Sequence, residues 1–110
     1  MPTRPAETPQ PPYYMVVFAS QRTEGDNGYA EAAIQMEEAV AQQPGFLGAD
    51  STRDENGFGI TVAYFTDDES IRQWYNHPEH TDTRNKGRAI WYQHYALHVA
   101  KVERAYRWDK

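Results

Sequence analysis

The chain has 110 residues, a net charge of -5, no cysteine and a mean hydropathy of -0.90. That length supports one domain with a single thin core, and the lack of cysteine excludes disulfides, thiolate nucleophiles and cysteine-held zinc. The acidic balance argues against a nucleic-acid partner, because non-specific backbone binding rests on clustered Lys and Arg.

Composition also varies along the chain. Seven of the 11 Lys/Arg but only two of the 16 Asp/Glu lie from Arg84 onward. That cluster fits ion pairing and solubility, or the lining of a pocket for an anionic small molecule. There is no apolar leader core and no apolar run long enough to span a bilayer, so a cytoplasmic protein with no membrane partner is expected.

Residues 1–12 hold five of the seven prolines. They read as a disordered, extended tail ahead of one domain at 13–110. Tyr13 to Ser20 predicts a strand, and both of its alternating sets are apolar, which fits burial on two faces. Glu24 to Gly28 is rich in turn formers. A helix is expected over Tyr29 to Gln42, with Tyr29, Ala33, Met36 and Val40 on one stripe and polar residues opposite. Pro44-Gly45 ends it. Phe46 to Arg53 and Phe58 to Phe65 predict a hairpin closed by Asn56-Gly57, residues that tolerate the positive φ of a tight turn.

Thr66-Asp67-Asp68-Glu69 has the spacing of a capping box, with Thr66 accepting from a first-turn amide. The helix that follows carries Ile71, Trp74 and Tyr75 inward. It breaks at His77-Pro78, and a shorter helical piece runs to a stop near Gly87. A last strand is expected from Trp91 to about Arg107. There Trp91, Tyr95, Leu97 and Val99 oppose Tyr92, His94, Ala96 and His98, with a bulge near Ala100-Lys101. The order βαββαβ predicts an α+β, ferredoxin-like domain, a four-stranded antiparallel sheet with both helices on one face. The uncovered face is partly apolar, and a symmetric homodimer is the simplest way to bury it.

Several blocks closely resemble the antibiotic biosynthesis monooxygenase family of dimeric α+β barrels. They are Gln43 to Gly48, Gly59 to Val62, Ile71 to Trp74, His77 to His80, Gly87 to Tyr92 and Val99 to Tyr106. The resemblance covers nearly everything after residue 12. It implies one of several activities: cofactor-free oxygenation of aromatic quinols, haem degradation, or degradation of a signalling molecule. Trp74 matches a tryptophan of the haem-degrading branch. The branch's ligating histidine falls at Arg84, and its first-strand asparagine near Ala19 or Ser20, so haem degradation by that route is not expected.

A cofactor-free oxygenase needs aromatic walls, a base that titrates near neutrality and a donor for the substrate anion. Trp74, Trp91 and Tyr95 are candidate walls, His77 or His80 the candidate base, and Arg84 or Tyr95 the candidate donor. Each has a plain structural alternative. Trp74 sits at core spacing from Ile71, and His77 is placed to cap the helix at Pro78. His94 and His98 fit an interface or surface, and no spacing suggests a metal site. The expected function is a cofactor-independent monooxygenase of a small aromatic or quinol-type metabolite, with dioxygen as co-substrate. The alternative is a non-catalytic dimer that binds a hydrophobic metabolite or haem.

Overall fold

A computed structural model describes residues 4–110. Strands β1 (Tyr13–Arg22), β2 (Phe46–Arg53), β3 (Phe58–Phe65) and β4 (Tyr92–Val102) form one antiparallel sheet in the order β2-β3-β1-β4. Helices α1 (Tyr29–Ala41), α2 (Asp68–Tyr75) and α3 (Pro78–Lys86) lie on one face, and a π turn (Gly87–Trp91) leads from α3 into β4. This is the ferredoxin-like α+β fold that the order of elements predicts.

Register assigns the faces. Val16 pairs with Ala63 and Val99, and Phe18 with Thr61 and Leu97, so these side chains share the helix-bearing face. Val17 pairs with Val62 and His98 on the other face. Because β1 sits between β3 and β4, its two apolar faces serve two layers, which explains its continuous hydrophobicity.

Little of the interior is closed. The buried apolar side chains are Tyr13, Phe65, Ile71 and Trp91, and α1 buries no residue at all. The apolar stripe of α1 instead faces a cavity of about 810 Å³ between helices and sheet, which Ala33, Met36 and Val40 line. The space a thin domain would fill with core has been left open.

Three local features differ from the sequence expectation. The α2 cap is Asp67 rather than Thr66: its carboxylate accepts from Ser70 N at 2.7 Å, while the Thr66 hydroxyl turns to Asp67. An ionised carboxylate is the stronger acceptor at a helix N-terminus, where the dipole favours negative charge.

The last strand is shorter than expected, and its irregularity lies at the other end. Register with β1 is continuous from His94 to Val102 and slips at Gln93, opposite Gln21/Arg22. Trp91 is drawn into the π turn, where its carbonyl accepts from Thr23 N at 2.9 Å and Arg22 Nε at 3.0 Å. These bonds take the place of ladder pairing, and the slip turns Tyr92 onto the same face as Tyr95, whereas strict alternation had separated them.

Gly87 does not stop the helix either, because its φ of -58 is helical. A Cβ there would meet the Tyr92 ring at 3.0 Å, so the glycine admits that ring.

Residues 4–12 of the Pro-rich segment meet the far side of the sheet through Ala6. Ala6 N donates to Asp50 at 2.9 Å, Arg107 Nη1 donates to Ala6 O at 2.8 Å, and Arg4 pairs with Asp109 at 2.8 Å. Among the described residues, no helix is long and apolar enough to cross a membrane.

Candidate functional site: an aromatic cavity with a cationic end

The cavity brings together five of the six residues singled out from sequence: Trp74, His80, Arg84, Trp91 and Tyr95 all line it. His77 does not. Its Nδ1 accepts from Glu79 N at 3.2 Å, which makes it the N-cap of α3 with Pro78 in the first turn. The capping alternative for His77 is the one the geometry displays.

His80 is half-buried. Its ring stacks on Trp74, with centroids 4.8 Å apart and planes 25° apart, and Nδ1 lies 3.5 Å from Tyr75 O. A carbonyl beside Nδ1 favours the tautomer that carries its proton there and leaves the Nε2 lone pair free. Burial pushes the imidazole below its ordinary value, and the Arg84 charge adds to this, while the Tyr75 carbonyl opposes it. The balance favours the neutral ring, the form a base requires.

Arg84 follows four residues later on the same face of α3. Its Nη1 donates to Tyr75 O at 3.1 Å, and its guanidinium carbon sits 4.0 Å from the Tyr75 ring centroid. Its Nε is buried without a hydrogen-bond partner. An unsatisfied buried donor costs about 1–3 kcal/mol. Arg88, in the π turn, donates from Nε to Tyr95 OH at 2.6 Å. The Tyr95 phenol thus accepts from a cation and keeps its own proton to donate.

Trp91 is more wall than contact. Its ring is buried edge-on against Tyr29 at 5.9 Å, and its Nε1 donates to Asn27 O at 2.9 Å.

A second polar group, which the sequence reading missed, joins Ser20, Tyr29, Arg53 and Tyr92. Arg53 Nη2 donates to Ser20 Oγ at 2.9 Å and Tyr29 OH at 3.3 Å, and the Tyr92 and Tyr29 hydroxyls are 3.4 Å apart. Burial, reinforced by the neighbouring Tyr29 hydroxyl, pushes the Tyr92 phenol well above its usual range. A signal was available: Arg53 falls on the inward register of β2, where an unpaired arginine would be costly. His94 and His98 are exposed on the helix-free face, away from the cavity. Among the described residues, no three His, Asp or Glu cluster as metal ligands.

The family's sequence profile matches residues 12–86, and the chain belongs to the antibiotic biosynthesis monooxygenase family. An uncharacterized protein of Bacillus subtilis (strain 168), YqjZ, is 48% identical over 99 residues, covering 90% of this chain and 87% of that one. Among solved structures, SnoaB of Streptomyces nogalater, described as a cofactor-independent oxygenase, superposes with a TM-score of 0.73 at 14% identity, covering 86% of this chain and 97% of SnoaB. Rv0793 of Mycobacterium tuberculosis superposes at 0.71 with 11% identity, covering 86% and 99%. At such identities the likeness is one of fold.

Arg84, where the sequence resemblance puts the ligating position of the haem-degrading members, presents a guanidinium that donates to Tyr75 O. It cannot ligate iron, so the residues present do not fit haem held by that route.

Proposed function

We propose that the protein is a cofactor-independent monooxygenase of a small aromatic, quinol-type metabolite. The observation that carries this reading is the half-buried His80 stacked on Trp74 within a largely aromatic and aliphatic cavity. The fold shared with SnoaB is consistent with it. His80 Nε2 takes a proton from the activated C–H of the bound substrate. Tyr95, whose hydroxyl accepts from Arg88, supplies its own O–H to the ring oxygen on which the negative charge collects. The carbanion then reduces dioxygen directly, and a C–O bond forms to give a peroxide. Loss of the second hydrogen from that carbon and cleavage of the O–O bond leave a carbonyl and one water. One atom of dioxygen is thus incorporated and the other released.

The working assembly in this proposal is a homodimer. The helix-free face exposes Phe58 and Ile60, at 46% and 41%, and two such faces would bury each other. Dithranol, a hydroxylated anthrone, is a suitable probe in an oxygen electrode without added metal or flavin. Uptake of one dioxygen per product carbonyl supports the reaction. Saturable binding without uptake would make the protein a metabolite-binding dimer instead.

A further inference from the structure

We infer that the natural substrate carries a standing negative charge, an aromatic ring bearing a carboxylate or similar acid, in addition to the ionisable position at His80. This rests on the proposed function, since it concerns the same cavity. Charge is the first ground. Arg84 and Arg88 both line the cavity, and neither is ion-paired among the described residues. Of the two acidic residues on the wall, Asp68 is held by Arg72 at 3.0 Å, and Glu37 pairs with neither arginine. Proton transfer from a neutral quinol to His80 creates one anion and one imidazolium together, so it supplies no net counter-charge to the two arginines.

The second ground is the outer nitrogen of Arg84, Nη2, which has no acceptor among the described residues and is not buried. The rest of that side chain is already fixed, by Nη1 on Tyr75 O and by the Tyr75 ring against its face. A planar carboxylate is the acceptor that the guanidinium edge matches best. Arg88, anchored through Nε on Tyr95, brings the second cation to the same end. The Arg53 group is different in kind. There Arg53 already spends its donors on Ser20 O, Ser20 Oγ, Gly57 O and Tyr29 OH, so its charge is bound into the frame. The cavity lining thus carries two arginines with no carboxylate partner, Arg84 and Arg88, and one whose donors are satisfied, Arg53.

The test is calorimetric titration of the full chain with naphthoate and with its methyl ester, which differ in charge at nearly equal ring area. Naphthoate should bind about 10-fold to 100-fold more tightly, the range for a hydrogen bond to a charged group. That margin should shrink in raised salt and largely vanish in Arg84→Gln, with Arg84→Lys restoring part of it. Circular dichroism would confirm that the variants fold. Equal or tighter binding of the ester, or a margin untouched in both Arg84→Gln and Arg88→Gln, would overturn the inference and leave the aromatic cavity standing. If neither probe binds, the cavity reading falls together with it.

Discussion

The rings of His80 and Trp74 are stacked although they stand six positions apart along the chain. On one straight helix, positions six apart point about 120° away from each other. The break at His77–Pro78, with His77 extended at φ -66 and ψ 134, starts α3 in a new direction and brings the imidazole back over the indole. Chain geometry, rather than helical periodicity, makes the pair.

That pair defines the first expectation. His80→Ala should lower the rate of oxygen uptake on dithranol by about 10²–10⁴-fold, the usual worth of a general base, with the circular dichroism spectrum preserved. His77→Ala should keep the rate and lose stability by about 1 kcal/mol, the cost of a helix cap. Full turnover by the His80 variant would end its assignment as base.

The pH profile supplies the second. The neutral imidazole is the active form, so kcat/KM should rise with pH and level off. The apparent pKa should lie below the ordinary histidine value of about 6.5, since burial, then Arg84 and His77, depress it against the Tyr75 and Trp74 carbonyls. Stability follows the same sign. Below about 6.5 the unfolded chain binds the proton first, so the contribution of His80 is present above that value and is lost as pH falls toward the folded pKa. Nuclear magnetic resonance titration of the His80 ring proton, in wild type and in Trp74→Ala, checks both. Removal of the indole should move the midpoint upward, and a wild-type midpoint above about 7 would contradict the burial argument.

Gly45 is a third point of leverage. It closes the turn into β2 at φ +84, and a Cβ there would stand 2.7 Å from Ser70 Cβ and from Thr66 Oγ1. Gly45→Ala should cost about 2–4 kcal/mol, read as a fall in Tm of roughly 10 °C. A Tm within a degree or two of wild type would mean that the turn re-forms without strain.

Residues 1–12 read in the sequence as a tail whose removal changes nothing. The hydrogen bonds of Ala6 to Asp50 and to Arg107 give a different expectation for a chain that begins at Tyr13. The exposed Arg4–Asp109 pair adds little, but two backbone bonds and the Asp50 carboxylate left without its donor should cost about 1–2 kcal/mol, or about 5 °C or more in Tm. An unchanged melting curve would return the segment to the role of a tail.

Sedimentation equilibrium tests the homodimer. The wild type should run at twice the 12.7 kDa chain mass, and Ile60→Glu, which places a charge on the helix-free face, should shift it toward the monomer. A single 12.7 kDa species of wild type at micromolar concentration would contradict the paired-face proposal.

By itself the sequence determined the elements whose signals are local. The hairpin ran from Phe46 to Arg53 and from Phe58 to Phe65 in the pattern as in the fold, because alternation and the Asn56-Gly57 turn act within a few residues. The α1 stripe and the break at Pro78 were legible for the same reason. Helical spacing also brought out His80 with Arg84, and their aromatic neighbours stood out by residue type.

Tertiary structure decided what depends on distant partners. Trp91 left the last strand because Arg22 and Thr23, far away in sequence, bind its carbonyl. That moved the bulge to Gln93 and turned Tyr92 inward, which strand alternation could not foresee. The Ser20–Tyr29–Arg53–Tyr92 group likewise assembles from four separate elements. The separation of His77 from His80 was also decided in space: both histidines flank the same proline, but one nitrogen is spent on a helix cap while the other ring lies over Trp74 in the cavity. Local pattern records how each segment meets its own neighbours. The open cavity is made by how helices and sheet fail to close on one another, and only packing in three dimensions sets that gap.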